Sequence, residues 1–482
     1  MGMAQILYGG SLRQFGLGSL VDKFAPQCKY GDEAMLAYWQ ETTGLNRKPS
    51  KNVLGVFKAQ ITPELWATEP RCISYAACDV EASWVLWHVF NEKIKGTPGE
   101  KIAKIERELL PSVVRLNQNV LPFSKKRATA LIVEKTAEWE KLNEEATKKF
   151  GTDVAHPTRL RELAKEAVVQ DPTLGEILGT TPTGLIKCAV DSLEAAEQHG
   201  WEVAEWVLKQ RRLKKRRDTI QQCLDVRTHG GVPATYKPTG AAATGRWSVS
   251  NPPLQQIPRE AEYRRVFKAR KGWKLVVSDY STMEPRVAAT LSRDENLREA
   301  LLTGDLYSAT ARQVDGKKKV LPERRQQFKN FFMAYLFGAG PKTLGEQAGM
   351  SEDEAKATLI QFNQLFPDYA YWQRELNNGN HITHTPDGYS LVTDQGFEFR
   401  KTAWAVQSSG AYILKRGIIR FRKEYPQYHK FLVGTVHDEV LLHVPEEHAK
   451  KAAKTLQKCL EVKGWIDMPA EAVIVDDWSQ AK

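Results

Sequence analysis

The sequence has no run of eighteen apolar residues, so no membrane-crossing helix is expected, and too little apolar sequence follows Gln5 for a secretory leader. Ile6 stands where an N-myristoylation motif needs Ser or Thr, which excludes a lipid on Gly2. Cysteine pairs are also lacking: Cys28, Cys72, Cys78, Cys188, Cys223 and Cys459 are scattered, with no Cys-x-x-Cys and no histidine at zinc-ligand spacing. A zinc site is therefore excluded, and a soluble protein of a reducing, cytoplasmic compartment is expected. Internal repeats and low-complexity segments are absent. Acid is in short supply, 58 Asp and Glu against 69 Lys and Arg, and the formal charge of +11 makes a polyanion such as nucleic acid the leading partner class. At 482 residues with 42% apolar content, the chain is expected to fold as several domains or subdomains.

The first hundred residues mix short apolar runs with turn residues and end in an apolar helical pattern over about 73–94, with a boundary at Gly96-Thr97-Pro98-Gly99. From Lys101 to Asp225 the pattern is mainly helical and closes on Lys209 to Arg217, seven basic residues in nine with almost no acid interleaved. Such a run is ordinarily one solvated helix face; here it is positive nearly all round. After Gly230 the texture turns to Gly, Pro, Thr and Ser with strand-like runs at 274–278 and 431–444. A long helical stretch, about 296–378, lies between them.

The run Leu275-Val276-Val277 reads as a buried strand that delivers Asp279 at its end. The segment from Val433 to Val444 reads as two strands joined by a tight turn that presents Asp438. Two such carboxylates can hold hard divalent cations and leave coordination positions for water and phosphate. Singly, each has a plainer explanation, Asp279 as a helix cap and Asp438 as a turn residue. A third element adds to them. Arg325, Lys329, Met333 and Phe337 recur every four residues and drift about 40° per step around one helix face. Its cationic half can grip a triphosphate and its apolar half can pack against a base; the plainer reading is an amphipathic helix with a cationic end.

At this point the sequence resembles the family A DNA polymerases, of the bacterial polymerase I and short phage type. Asp279-Tyr-Ser-Thr-Met-Glu-Pro-Arg286 is similar to the family's Asp-Tyr-Ser-x-x-Glu-x-Arg. Arg325-x-x-x-Lys329 followed by Phe337-Gly338 is similar to its fingers helix, and His437-Asp438-Glu439 to its hairpin turn. Thr244-Gly245-Arg246-Trp-Ser248 with Leu254-Gln-Gln-Ile-Pro258 resembles a fourth segment, and all four come in the family's order. Phe366-Pro367 and Val475-Asp-Asp-Trp478 extend the likeness to the chain end.

The resemblance implies a mixed α+β right-hand polymerase: a palm with an antiparallel sheet (231–295 and 403–482), helical fingers (296–402), and a helical thumb (97–230) carrying the basic helix 209–217. It implies template-directed DNA synthesis from dNTPs on a primer-template by two Mg²⁺, or Mn²⁺, in a monomer, with a processivity partner left open. Asp279, Asp438 and the Tyr280 carbonyl would ligate the metals. Arg325 and Lys329 would neutralise the triphosphate, and Lys329 could protonate the pyrophosphate. Met333, Phe337 and Tyr307 would line the nucleotide site. Glu284 takes the steric-gate position against a ribose 2′-hydroxyl. Arg246, Gln256 and Gln407 would lie along the duplex, where minor-groove acceptors are common to all base pairs. His437 and Glu439 would lie near the primer end, and Lys214, Lys215 and Arg216 on backbone phosphates. Several residues depart from the family pattern: Met333 stands where the family has Phe or Tyr, Phe337 replaces a Tyr, Pro285 follows the gate, Tyr307 replaces a His, and Ala403 an Asn.

Tyr75-Ala-Ala-Cys-Asp79 resembles the last motif of the family's 3′–5′ exonuclease domain, an RNase H-like fold, but its earlier acidic motifs are not found. Residues 1–96 are therefore expected to be a truncated, inactive remnant without proofreading. Competing readings are a phage-type RNA polymerase or reverse transcriptase, which Glu284 and Thr244-Gly245-Arg246 disfavour, and a non-catalytic DNA-binding scaffold, which predicts the loss of an acid or cation of the site. None is missing.

Overall fold

The computed structural model describes residues 4, 16–28, 32–47, 49–241, 243–378, 384–391, 393 and 395–481. The turn at Gly96, with φ +71°, separates two kinds of helical chain. Before it, four short helices (Leu17–Phe24, Asp32–Thr43, Lys51–Gln60, Pro63–Thr68) lead to the long helix α1 (Pro70–Ile94). Pro70 opens α1 at a position whose N–H needs no helical partner. Among the described residues of 16–96 there is no strand, and Tyr75 and Asp79 both lie on α1.

Beyond the turn come α2 (Gly99–Gln118), α3 (Lys125–Phe150) and α4 (Glu202–Asp225). Helices α3 and α4 pack on each other, and with three shorter helices their outer halves enclose a separate core that includes Leu160, Leu193 and Val207. Strands β1 (Thr235–Ala241) and β2 (Arg246–Ser250) then form an antiparallel pair. β3 (Trp273–Tyr280) leads through a short turn into α5 (Met283–Ser292), followed by α6 (Leu306–Asp315) and α7 (Pro322–Leu336). The long helix α8 (Arg400–Glu424) returns the chain to β4 (Leu432–Val436) and β5 (Glu439–Pro445). Helix α9 (Glu446–Leu460) and β6 (Ala470–Val475) complete the fold.

The four later strands make one antiparallel sheet in the order β4-β5-β3-β6. An antiparallel sheet with one wet face alternates apolar and polar residues, whereas Leu275, Val276 and Val277 on β3 are buried in succession. Both faces are therefore covered; α9 and the turn at 478–481 pack against this strand. Each such side chain contributes about 1.5–3 kcal/mol relative to exposure. On α7 the burial lies opposite the cationic stripe: Phe328, Phe331, Phe332 and Tyr335 sink into an aromatic cluster with Phe362, Phe366 and Tyr369. No helix among the described residues is long and apolar enough to cross a membrane.

Candidate active site

The ladder between β3 and β5 ends at Ser278 opposite Val440, and one more step in that register sets Asp279 beside Glu439 and Tyr280 beside Asp438. Two stretches of chain about 160 positions apart thus bring their acids to the same end of one sheet. Asp279 does not cap α5: Thr282 holds the cap position, and the Asp279 carboxylate accepts from the N–H of Tyr280 at 2.9 Å. Asp438 sits in the β4–β5 turn, where His437 takes a left-handed conformation at φ +56°. The Asp438 carboxylate, half-buried, makes no hydrogen bond with a described residue, so the turn does not consume it.

Asp438 lines a cleft together with Arg246, Glu284, Gln407 and His437, while Asp279 lines a second hollow with Tyr280, Glu439 and Glu471. Among the described residues no group of three or more acids, histidines or cysteines is gathered at metal-binding distance. Two carboxylates and the Tyr280 carbonyl fit a hard cation that completes its shell with water and phosphate, and do not fit a cation held wholly by protein. In the cleft, Arg246 Nη2 donates to Glu284 at 2.5 Å. Pro285 falls at the third residue of α5, where a missing N–H breaks no helical bond, so the turn at Glu284 is intact. Desolvation, then the charge of Arg259, lowers the pKa of His437, which lines the same cleft as Asp438.

On α7, Arg325 is not free. Its guanidinium makes two bonds, 2.6 and 3.0 Å, to Asp305 at the start of α6, and this pair raises its pKa. Tyr307 is buried, lies 5.5 Å from the same guanidinium, and points its hydroxyl at the sulfur of Met333, 3.9 Å away. Lys329 is half-buried and makes no ion pair with a described residue. Phe337 lies one residue past the last helical turn, so the four-residue stripe ends at the cap.

Other residues lie elsewhere than their motif position suggests. Glu439 is buried, and its carboxylate faces inward: Arg264 donates at 3.0 Å and the Trp478 indole at 2.8 Å. It braces the sheet beneath the turn and lines the hollow that Asp279 also lines. Gln256 is exposed outside the cleft, whereas its neighbour Gln255 lines it and donates to the Trp247 carbonyl at 3.1 Å. Burial of Leu254 and Ile257, three apart in a tight turn, is what aims Gln255 inward. Arg259 is a further cleft residue that carried no motif.

The basic run on α4 is less bare than its sequence. Lys209, Arg212, Arg216 and Arg217 pair with Glu205, Glu194, Glu260 and Asp218, and Arg211 donates to the Cys188 carbonyl. Lys214 and Lys215 are exposed and make no ion pair with a described residue.

The sequence profile described as DNA polymerase family A matches residues 125–480. The chain is 28% identical over 406 residues to the thermostable DNA polymerase I of Thermus filiformis, covering 79% of this chain and 48% of that one. It is 26% identical over 401 residues to DNA polymerase I of Aquifex aeolicus (79% and 67%), and 29% identical over 266 residues to the DNA polymerase of Mycobacterium phage D29 (54% and 43%). The chain thus spans about half the length of most of these curated relatives. In fold it is similar to the POL domain of Pol1 from M. smegmatis, solved in complex with DNA primer-template and dNTP. The TM-score is 0.76 at 20% identity, covering 99% of this chain and 81% of that one. With the profile spanning most of its length, the chain belongs to DNA polymerase family A.

Proposed function

We propose that the protein is a template-directed DNA polymerase, which transfers dNMP from a dNTP to a primer 3′-hydroxyl and releases pyrophosphate. The observation that carries the reading is the arrival of Asp279 and Asp438 at the same end of one sheet, with Asp438 in the cleft of the Arg246–Glu284 pair. In this reading the sheet is the palm (231–295 and 403–482), 296–402 the fingers, 97–230 the thumb, and 1–96 an exonuclease-like segment supported by Asp79 alone. The working protein is a cytoplasmic monomer acting on primer-template DNA.

Asp279, Asp438 and the Tyr280 carbonyl would hold two Mg²⁺, or Mn²⁺; when bound, these lower the pKa of the primer hydroxyl and neutralise phosphate charge. The remaining work belongs to the chain itself. Arg325 exchanges the Asp305 carboxylate for the triphosphate, one bidentate anion for another, so binding does not have to order a loose side chain. Lys329, free of any described ion pair, neutralises the transferring phosphoryl and gives a proton to the leaving pyrophosphate. Tyr307 and Met333 form one wall of the sugar site and Phe337 stacks near the base. Glu284, held by Arg246, fills the space a 2′-hydroxyl would need. Arg246, Gln407 and His437 meet the duplex next to the insertion point, joined by Gln255 in place of Gln256. Lys214, Lys215 and Arg216 meet backbone phosphates further out, with Arg216 first leaving Glu260.

Primer extension tests this. The protein should extend a primed template with dNTPs, stop when the divalent cation is chelated, and reject rNTPs. Glu284→Ala should raise rNTP insertion by about a hundredfold, because a site built to exclude a group by close contact loses that exclusion on truncation. A wild-type protein that inserts rNTPs as fast as dNTPs, or that extends nothing, overturns the reading.

A further inference from the structure

Beneath the turn that presents Arg246 lies a buried ionic contact joining three distant segments. Lys415 on α8 is 0% exposed; its ammonium donates to the Gly245 carbonyl at 2.7 Å and to Glu106 Oε1 on α2. The Tyr412 hydroxyl donates to the same Glu106 oxygen at 2.9 Å, and the Lys415 ammonium lies 4.4 Å from the Tyr412 ring centre. Gly245 has φ +64°, and a Cβ there would meet the Tyr389 and Tyr412 rings at 2.9 Å, so the backbone seats directly on two tyrosines. The next residue, Arg246, enters the cleft and meets Glu284.

A buried ion pair is seldom the cheapest way to stabilise a core: well-packed apolar residues of the same volume do as well or better. Burial pushes the Lys415 pKa down and Glu106 opposes it, so the cation depends on that single carboxylate. What the pair supplies that an apolar pair would not is a directed donor on the Gly245 carbonyl. We propose that Glu106 and Lys415 are positioning residues for nucleotide insertion: Glu106 orients Lys415, Lys415 fixes the Gly245 carbonyl, and the peptide so fixed sets the line along which Arg246 enters the cleft. Neither residue touches the cleft itself. Because Glu106 stands on α2, the segment assigned to the thumb shares in shaping the insertion site. The inference rests on the polymerase reading above.

The test is a double-mutant cycle on single-nucleotide insertion, read as kcat and KM for dNTP, with thermal unfolding recorded for every variant. Glu106→Gln keeps the shape and removes the charge; it should lower kcat/KM by about 10–100-fold, the effect of losing a hydrogen bond to a charged group. Tyr412→Phe, which removes one hydroxyl, should lower it about threefold. In an Arg246→Ala background both losses should shrink to less than about twofold, because the residue they act through is gone. A merely structural role would shift melting and cost the same factor with or without Arg246. Equal losses in both backgrounds, or no loss in either folded variant, overturn the proposal. If Glu106→Gln does not fold, Tyr412→Phe runs the same cycle alone. A wild-type protein unable to insert any dNTP removes the polymerase reading and this inference together, a result distinct from an active wild type with indifferent variants.

Discussion

Asp79 and Asp279 each stand in a segment that resembles a polymerase-family motif, yet their surroundings differ in kind. Asp79 lies within α1, a helix whose outer face carries exposed Val80, Trp84 and Trp87. Asp279 leaves a buried strand at the end of a sheet where Asp438 arrives from the turn of β4 and β5. A helix spreads its side chains around a cylinder, so a second acid must come from elsewhere. Strand ends pool theirs at one edge. The difference teaches that the cation site proposed for Asp279 and Asp438 would be made by topology, by strand ends that converge, which a single helix does not supply.

The bracing beneath the sheet gives the largest way to break that comparison. Arg264→Met leaves Glu439 as a buried charge without its ionic partner, and is expected to cost about 3–5 kcal/mol in chemical denaturation. A loss under about 1 kcal/mol would show that the hairpin turn stands without this support. Acid gives a second, smaller contrast, again confined to the sheet region. Burial, with nearby arginines, pushes His429 and His443 down to about 4 from an ordinary 6.5. Below pH 6.5 the unfolded chain takes up protons that the folded chain refuses until near pH 4. Their contribution is therefore complete above 6.5 and lost as pH falls through that window. Each should cost about 1–2 kcal/mol by pH 5. His429→Gln, which keeps a partner for Ser112, should remove its share of the slope; an unchanged slope contradicts the assignment. The smallest effect sharpens the comparison from the other side. Asp79→Ala should alter neither primer extension nor the level of 3′ degradation, and a nuclease activity abolished by it would make the N-terminal helices a second cation site.

Much of the sheet region was legible in the chain because its signals are local. The run Leu275-Val276-Val277 announces a strand covered on both faces, and the tight turn between two apolar runs places Asp438 at a tip. The helix near 73–94 and the turn at Gly96 follow equally from local periodicity and turn chemistry. What escaped depends on residues far apart in sequence. Nothing near Glu439 announces that Arg264 and Trp478 will claim its carboxylate, or that Asp305 will hold Arg325. The run on α4 looked unpaired because two of its acids, Glu194 and Glu260, come from other segments. Gln255 and Gln256 are chemically identical neighbours, and only the burial of Leu254 and Ile257 decides which faces the cleft.

The central claim is that Asp279 and Asp438 form one metal-dependent insertion site. Single-nucleotide insertion by Asp279→Ala and Asp438→Ala, each shown to melt like the wild type, tests it most directly. Both variants should fall by at least about a thousandfold in rate at saturating Mg²⁺, since each removes charge stabilisation made in the transition state. Insertion at the wild-type rate by either would contradict the account.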